Sequence, residues 1–261
     1  MSSRLLFSST TVHIGAFVSA PTDPEFVDSG PTRGHLLVFP RTCVSIQHAG
    51  RAPVVADPTV VMIYNRGQVY TRRAIAPAGD RCEWFAFDAD AILESRGDRD
   101  GDRERPFGAL MVTPSSARTY FLAHAALRRT GDPLAVEEAC LTLLDDVLAN
   151  AAPADVSPAH RELADAARRL LSRCFTDRHS LSAIAGALGT SAFHLARVFR
   201  RATGRTLHGY RTELRIRTAI ERLPDTDDLA ALAVDLGFSS HSHFTAAFKK
   251  LVGMAPSRAR I

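Results

Sequence analysis

The sequence predicts an α+β chain, a β-rich N-terminal barrel followed by an all-α domain of two helix-turn-helix units. Three observations carry this. Short β-branched and aromatic runs, punctuated by Pro, Gly and Asp, fill the first part of the chain. Helical spacing of apolar residues replaces them after residue 113. Finally, residues 180–204 return almost in register as residues 228–253.

The opening segment, MSSRLLFSSTTVHIGAFVSA, has the Arg4 and the small-residue end of a secretion signal. Ser8, Ser9, Thr10, Thr11 and His13 interrupt its apolar centre, so a cleaved leader is not expected. Strands are expected at 36–39, 44–48, 60–64, 69–74 and 83–87. Strands this short and regularly spaced suit an antiparallel barrel or sandwich. The charged stretch 94–105, ESRGDRDGDRER, lacks apolar anchors and reads as a solvated loop. Thr113-Pro114-Ser115-Ser116 then offers a helix start, with a helix over 117–129 ended by Thr130-Gly131. A second helix is expected over 134–150 and a linker over 153–158, before a helix over 160–175 opens the C-terminal domain.

The repeat is the most informative feature. Leu181, Leu188 and Gly189 recur 48 residues later as Leu229, Leu236 and Gly237. After the turn the offset is 49, so that Ser191, His194, Leu195, Phe199 and Gly204 match Ser240, His243, Phe244, Phe248 and Gly253. Ser180 and Ser191 are placed to cap two successive helices, and Gly189 can take the positive φ that ends the first. On the second helix Leu195, Val198, Phe199 and Ala202 share one face, leaving Phe193, Ala196, Arg197 and Arg200 on the other. In the second copy Phe244, Ala247, Phe248 and Leu251 face inward, leaving His241, Ser242, Thr245, Ala246 and Lys249 outward. Arg pairs bidentately with guanine, and small or aromatic side chains meet a thymine methyl, so these outward faces suit a major groove. Between the copies, residues 207–223 read as one helix, a strut of about 25 Å carrying Arg211, Arg215, Arg217 and Arg222. Such a strut would set the two reading helices about one DNA turn apart.

Charge supports the same division. From Pro158 onward there are 17 Lys+Arg against 9 Asp+Glu, a net of +8, while the remainder carries 15 against 19, a net of −4. An anionic partner is expected for the C-terminal part alone. No apolar run is long enough to span a bilayer, so no membrane partner is expected. Cys43, Cys82, Cys140 and Cys174 are scattered, without zinc or redox spacing, and read as buried apolar residues of a reducing, cytoplasmic location.

The two signatures resemble the AraC/XylS family of bacterial regulators over about residues 160–261. They stand here as Leu181-x-x-Ile184-Ala185-x-x-Leu188-Gly189-x-Ser191-x-x-His194-Leu195-x-Arg197-x-Phe199-Arg200-x-x-x-Gly204 and as Leu236-Gly237-Phe238-Ser239-Ser240-His241-Ser242-His243-Phe244, followed by Gly253-Met254-Ala255-Pro256. The resemblance implies a seven-helix domain that binds double-stranded promoter DNA and contacts RNA polymerase or its σ factor. It implies base-facing positions at Phe193, Ala196 and Arg197 and at Ser242, Thr245 and Ala246, to which the helical spacing above adds Arg200, His241 and Lys249. Backbone contacts are expected from Ser191, Arg201, Arg205, Ser240, His243 and Lys250. Ala246 stands where relatives often carry Arg, so the first unit is expected to give more of the base specificity.

The resemblance further implies that residues 1–112 form a cupin-like sensing domain, that 113–157 supply dimerisation helices and a linker, and that 158–261 bind DNA through units at about 180–202 and 228–251. A homodimer and a small-molecule effector are expected. His35, Arg41, His48, Tyr64, Tyr70, Arg72 and Trp84 are the candidate pocket residues, for each of which surface or core packing is the favoured alternative. No cofactor, no metal and no catalytic residue is expected. Two other readings remain, a DNA-alkylation repair protein carrying the same module and an interaction protein that no longer binds DNA. The first requires clustered methyl-accepting cysteines.

Overall fold

The computed structural model describes every residue except Met1, Ser29, Ala76, Arg99, 109–110, Ser115, 129–132, 150–155 and Ile261, and at 111–114 the backbone alone. The expected helix stop at Thr130-Gly131 and the first part of the expected 153–158 linker lie outside the described residues. Two compact units emerge: Met1–Ser115 with Leu122–Pro153, and Ser116–Phe121 with Ala154–Ile261.

Among the described residues the first unit holds nine strands: β1 (Ser2–Ser8), β2 (Val12–Ser19), β3 (His35–Pro40), β4 (Val44–His48), β5 (Val54–Ala56), β6 (Val60–Tyr64), β7 (Tyr70–Ala74), β8 (Asp80–Phe87) and β9 (Met111–Pro114). They form a six-stranded sheet in the order β1-β2-β8-β3-β6-β9 and a three-stranded sheet in the order β5-β4-β7. Every pairing described is antiparallel. Alternation sets the faces: Val12 and Ile14 are buried while His13 is exposed, and Val44, Ile46 and His48 are buried on one side of β4. Strand β6 (VVMIY) is buried throughout, as a strand with neighbours on both sides and cover on both faces must be.

Four strands were not expected. The opening segment, weighed above as a leader, is β1 and β2; short β5 and edge strand β9 also escaped notice. The stretch read as a loop from 94 begins inside a short helix, α1 (Ala89–Ser95), which Asp88 caps by accepting from the Asp90 amide at 3.0 Å. Helices α2 (Ala117–Arg128) and α3 (Pro133–Ala149) complete the first part of the chain. On α3, Val136, Cys140, Leu143, Leu144 and Val147 are buried, whereas Leu134 and Leu141 are exposed.

The second unit is helical: α4 (Pro158–Cys174), α5 (Leu181–Ala187), α6 (Ala192–Thr203), α7 (Leu207–Arg222), α8 (Leu229–Asp235) and α9 (His241–Val252), with short 3-10 turns at Leu223–Asp225 and Pro256–Arg258. Each start is capped where the sequence offers a hydroxyl or carboxylate. Ser157, Ser180, Ser191, Thr206, Asp228 and Ser240 all accept from the first-turn amides of their helices. Gly204 and Gly253 end α6 and α9 in the left-handed conformation. One core joins Ala164, Ala167 and Leu171 of α4 to Ile184, Leu195, Phe199 and the α7 residues Tyr210 and Leu214.

The strut is α7, and all four of its arginines are engaged within the protein. Arg215 is 6% exposed and donates to the carbonyls of Phe175 and Gly237, both at 2.7 Å, and of Thr176 at 3.1 Å. Its guanidinium also lies over the Phe238 ring, 5.6 Å from the centroid. Arg217 is fully buried, pairs with Glu213 one turn earlier and covers the Tyr120 ring at 5.2 Å. Arg222 pairs with Asp235 at 2.8 Å. A helix flanked on several sides must bury part of its circumference, and the two arginines that α7 buries, Arg215 and Arg217, each have partners.

Candidate functional site

Two features of the described structure stand out as candidate sites, one in each unit. The first is the pair of repeated helices α6 and α9. Leu195, Val198 and Phe199 fix α6 to its unit, and Phe244, Phe248 and Val252 do the same for α9. The residues expected to meet bases lie on the opposite faces. Phe193, Arg197, Arg200, His241, Ser242, Ala246 and Lys249 are exposed, and Ala196 and Thr245 are half-buried.

Phe193 is 77% exposed, which is costly for a large apolar ring in a partnerless surface. It also holds the Arg197 guanidinium 5.9 Å from its centroid, so the two side chains project together. On α9 the equivalent surface is softer: His241 Nε2 lies 3.5 Å from the Thr245 hydroxyl, and Ala246 adds only a methyl group. Arg197, Arg200, Arg201, Lys249 and Lys250 are all exposed, and none has an ion-pair partner among the described residues.

The residues expected at the DNA backbone divide. Arg201 and Lys250 remain free on the surface. Ser191 and Ser240 serve as helix caps, accepting from the amides of His194 at 3.2 Å and His243 at 3.1 Å. A cap sits at the positive end of the helix dipole, the place where a phosphate is also favoured. His243 accepts or donates to the Ser239 hydroxyl at 3.0 Å and meets the Phe238 ring edge-on, while its counterpart His194 meets His160 edge-on. Arg205 is the exception: its Nε lies 2.9 Å from buried Glu213, so its charge is already answered.

The second feature is a cavity of about 670 Å³ between the two sheets of the first unit. Its walls are mostly apolar and include Phe17, Leu36, Met62 and Trp84. Of the expected pocket residues, Tyr64, Tyr70 and Trp84 line it. His48 stands on the same face of β4 as the lining residues Val44 and Ile46, with its ring 5.4 Å from Tyr64 and 5.8 Å from Tyr70. Arg72 is buried beside the cavity and bonded to Asp80 at 2.7 Å. His35 and Arg41 are placed elsewhere: His35 accepts from the Arg66 amide at 3.2 Å, and Arg41 pairs with Glu83. Asp80 and Cys82 line the cavity and were missed; the alternation along β8 that buries both was the available signal. Burial pushes the Asp80 carboxyl up against the pull of Arg72, and pushes the Cys82 thiol up as well.

A profile described as a helix-turn-helix domain matches residues 184–260. The bifunctional transcriptional activator/DNA repair enzyme AdaA of Bacillus subtilis is 28% identical over 100 residues, 38% of this chain and 47% of that protein. The HTH-type transcriptional activator AarP of Providencia stuartii is 36% identical over 87 residues, 33% of this chain and 64% of that protein. Among solved structures, the C-terminal domain of AraT, a response regulator from Geobacillus stearothermophilus, is 27% identical over 41% of this chain and 86% of its own, with a TM-score of 0.36. The chain thus spans about half of the first curated relative and under two thirds of the second.

Proposed function

We propose that the chain, whose C-terminal domain is similar to a helix-turn-helix profile and to an HTH-type transcriptional activator, is a sequence-specific DNA-binding transcription regulator of the AraC/XylS family, an activator that works in the cytoplasm with RNA polymerase. Helices α6 and α9 enter successive major-groove segments of one duplex. The observation that carries this reading is the set of five exposed, unpaired cations on the outward sides of two capped, repeated helices. Cations without protein partners can neutralise phosphates and release counterions, which makes affinity fall steeply with salt. Arg197, steadied by Phe193, reads a base; Arg200, His241, Ser242, Thr245 and Lys249 line the groove; Arg201, Lys250 and the capped helix starts hold the backbone.

Fluorescence anisotropy with the DNA upstream of its own gene tests this. Arg197→Ala is expected to cost roughly 1–3 kcal/mol of operator binding and to relax one base position, while Lys250→Ala weakens all sequences alike. Equal affinity for operator and scrambled duplex at moderate salt would end the proposal.

No catalytic role is part of this reading. Burial holds the Cys82 thiol protonated and raises Cys140 to about 12, which makes both poor nucleophiles. The first unit, with its cavity, is taken as the sensing part. Helix α3 is taken as the dimerisation element, since Leu134, Leu141 and Leu148 recur every seven residues along it, two of them exposed. Two copies packed antiparallel would cover that stripe. Leu141→Glu is expected to convert a dimer to a monomer in sedimentation velocity without unfolding either unit; an unchanged dimer removes α3 from the interface.

A further inference from the structure

The cavity between the two sheets has an unusual balance of charge and hydrogen bonding. We propose that it selects an uncharged apolar molecule bearing a single hydroxyl, an alcohol or a phenol, with the hydroxyl held between His48 and Tyr64. This deepens the sensing role assigned above to the first unit and rests on it.

Three observations lead there. The volume, about 670 Å³, lies within the range of small-molecule sites, and the walls are mostly aliphatic and aromatic, which favours a largely apolar body. His48 is 7% exposed, yet neither ring nitrogen has a hydrogen-bond partner among the described residues. A buried polar group left unsatisfied is costly, and such groups in folded proteins are normally answered. The ring lies against Tyr64 and Tyr70, both of which line the cavity, and shares its strand face with two more lining residues.

The third observation is that, among the described residues, the buried charges at this end, Arg72 and Asp80, are matched to each other, while the cations Arg51 and Arg33 are exposed to solvent. Arg72, the cation beside Tyr70, donates to Asp80 at 2.7 Å and to the Phe26 carbonyl at 3.0 Å, and it lies over the Phe17 ring. Its charge is therefore matched, and an incoming carboxylate would be desolvated with nothing to receive it. An incoming ammonium fares no better, because Asp80 is matched by Arg72. Burial, and secondarily Arg51, lowers the His48 pKa, so the imidazole is neutral. A neutral imidazole carries one donor and one acceptor, and a hydroxyl group answers both. At the rim, Arg33 and Asp88 are exposed and of opposite sign.

Trp84 lines the cavity and is the single tryptophan of the chain, so its emission reports occupancy directly. The full-length protein is titrated with 1-decanol, decanoate and decyltrimethylammonium, each below its micellar range, which share a linear alkyl body and differ in the charge and kind of head group. Decanol is expected to shift Trp84 emission with a Kd at least about tenfold below either ion, the equivalent of about 1.4 kcal/mol. His48→Phe is expected to raise the decanol Kd about tenfold while the melting temperature holds or rises, since an unbonded buried imidazole is replaced by an apolar ring. Either ion binding as tightly as decanol, decanol binding that ignores His48→Phe, or no shift from any of the three overturns the proposal. The head-group comparison uses the unaltered protein and decides the matter even if the variant does not fold. DNA binding, measured separately without any probe, stands or falls on its own.

Discussion

Arg215→Met is expected to lower the stability of the helical unit by about 3 kcal/mol or more, read as a shift of the urea midpoint followed by circular dichroism at a helical wavelength. The side chain is buried, and among the described residues no carboxylate lies within ion-pair distance of it. It acts through backbone carbonyls of Phe175, Thr176 and Gly237, with a longer contact to Asp177 at 3.4 Å. A hydrogen bond to a charged group contributes about 1.5–3 kcal/mol, and several sharing one guanidinium add less than their sum. Methionine matches the length and the apolar stem but leaves those carbonyls unanswered. Lysine restores the charge as a compact point with no planar fork and is expected to recover less than half of the loss. A loss under about 1 kcal/mol in the methionine variant would mean that water replaces the guanidinium adequately.

The second large effect concerns two glycines that occupy equivalent places in the repeat. Gly189 and Gly237 both have positive φ, 65° and 79°. A Cβ on Gly189 would meet nothing within 4 Å, whereas one on Gly237 would sit 2.1 Å from the Thr176 carbonyl oxygen and 2.8 Å from an Arg215 nitrogen. Alanine at 189 therefore brings only the left-handed penalty of about 1–2 kcal/mol. Alanine at 237 brings the same penalty and also prises open the clasp around Arg215. Gly237→Ala is expected to destabilise the helical unit at least about 2 kcal/mol more than Gly189→Ala, in the range seen when a buried network is broken. Equal losses in the two variants would show that backbone conformation alone governs both sites.

These two residues mark where the sequence was legible and where it was not. The repeat located α5, α6, α8 and α9 and the inward faces of the reading helices, because capping residues, glycines and apolar spacing all agree there. The fate of the α7 arginines was hidden. An arginine that donates to carbonyls and one that faces solvent have the same one-dimensional appearance, and only the packing of α4 and of the second turn against α7 separates them. In the first unit, five strands announced themselves by β-branched runs. Strands β1 and β2 did not, since hydroxyl residues and half-exposed positions blur their alternation. Tyr64, Tyr70 and Trp84 stood out by size and polarity as cavity residues. Asp80 and Cys82 did not, because their place depends on which side of β8 faces the smaller sheet.

On the reading proposed above, in which α6 and α9 meet two segments of one duplex, the grip of Arg215 on both halves of the helical unit has a consequence for the nucleic acid. The clasp ties the end of α4 to the turn before α9, so the interval between the two reading helices is set before any duplex arrives. A ruler of fixed length cannot track a target that has been stretched: inserting even a few base pairs between the two recognised segments rotates the second one out of reach, and the loss of affinity should match that of deleting that segment altogether.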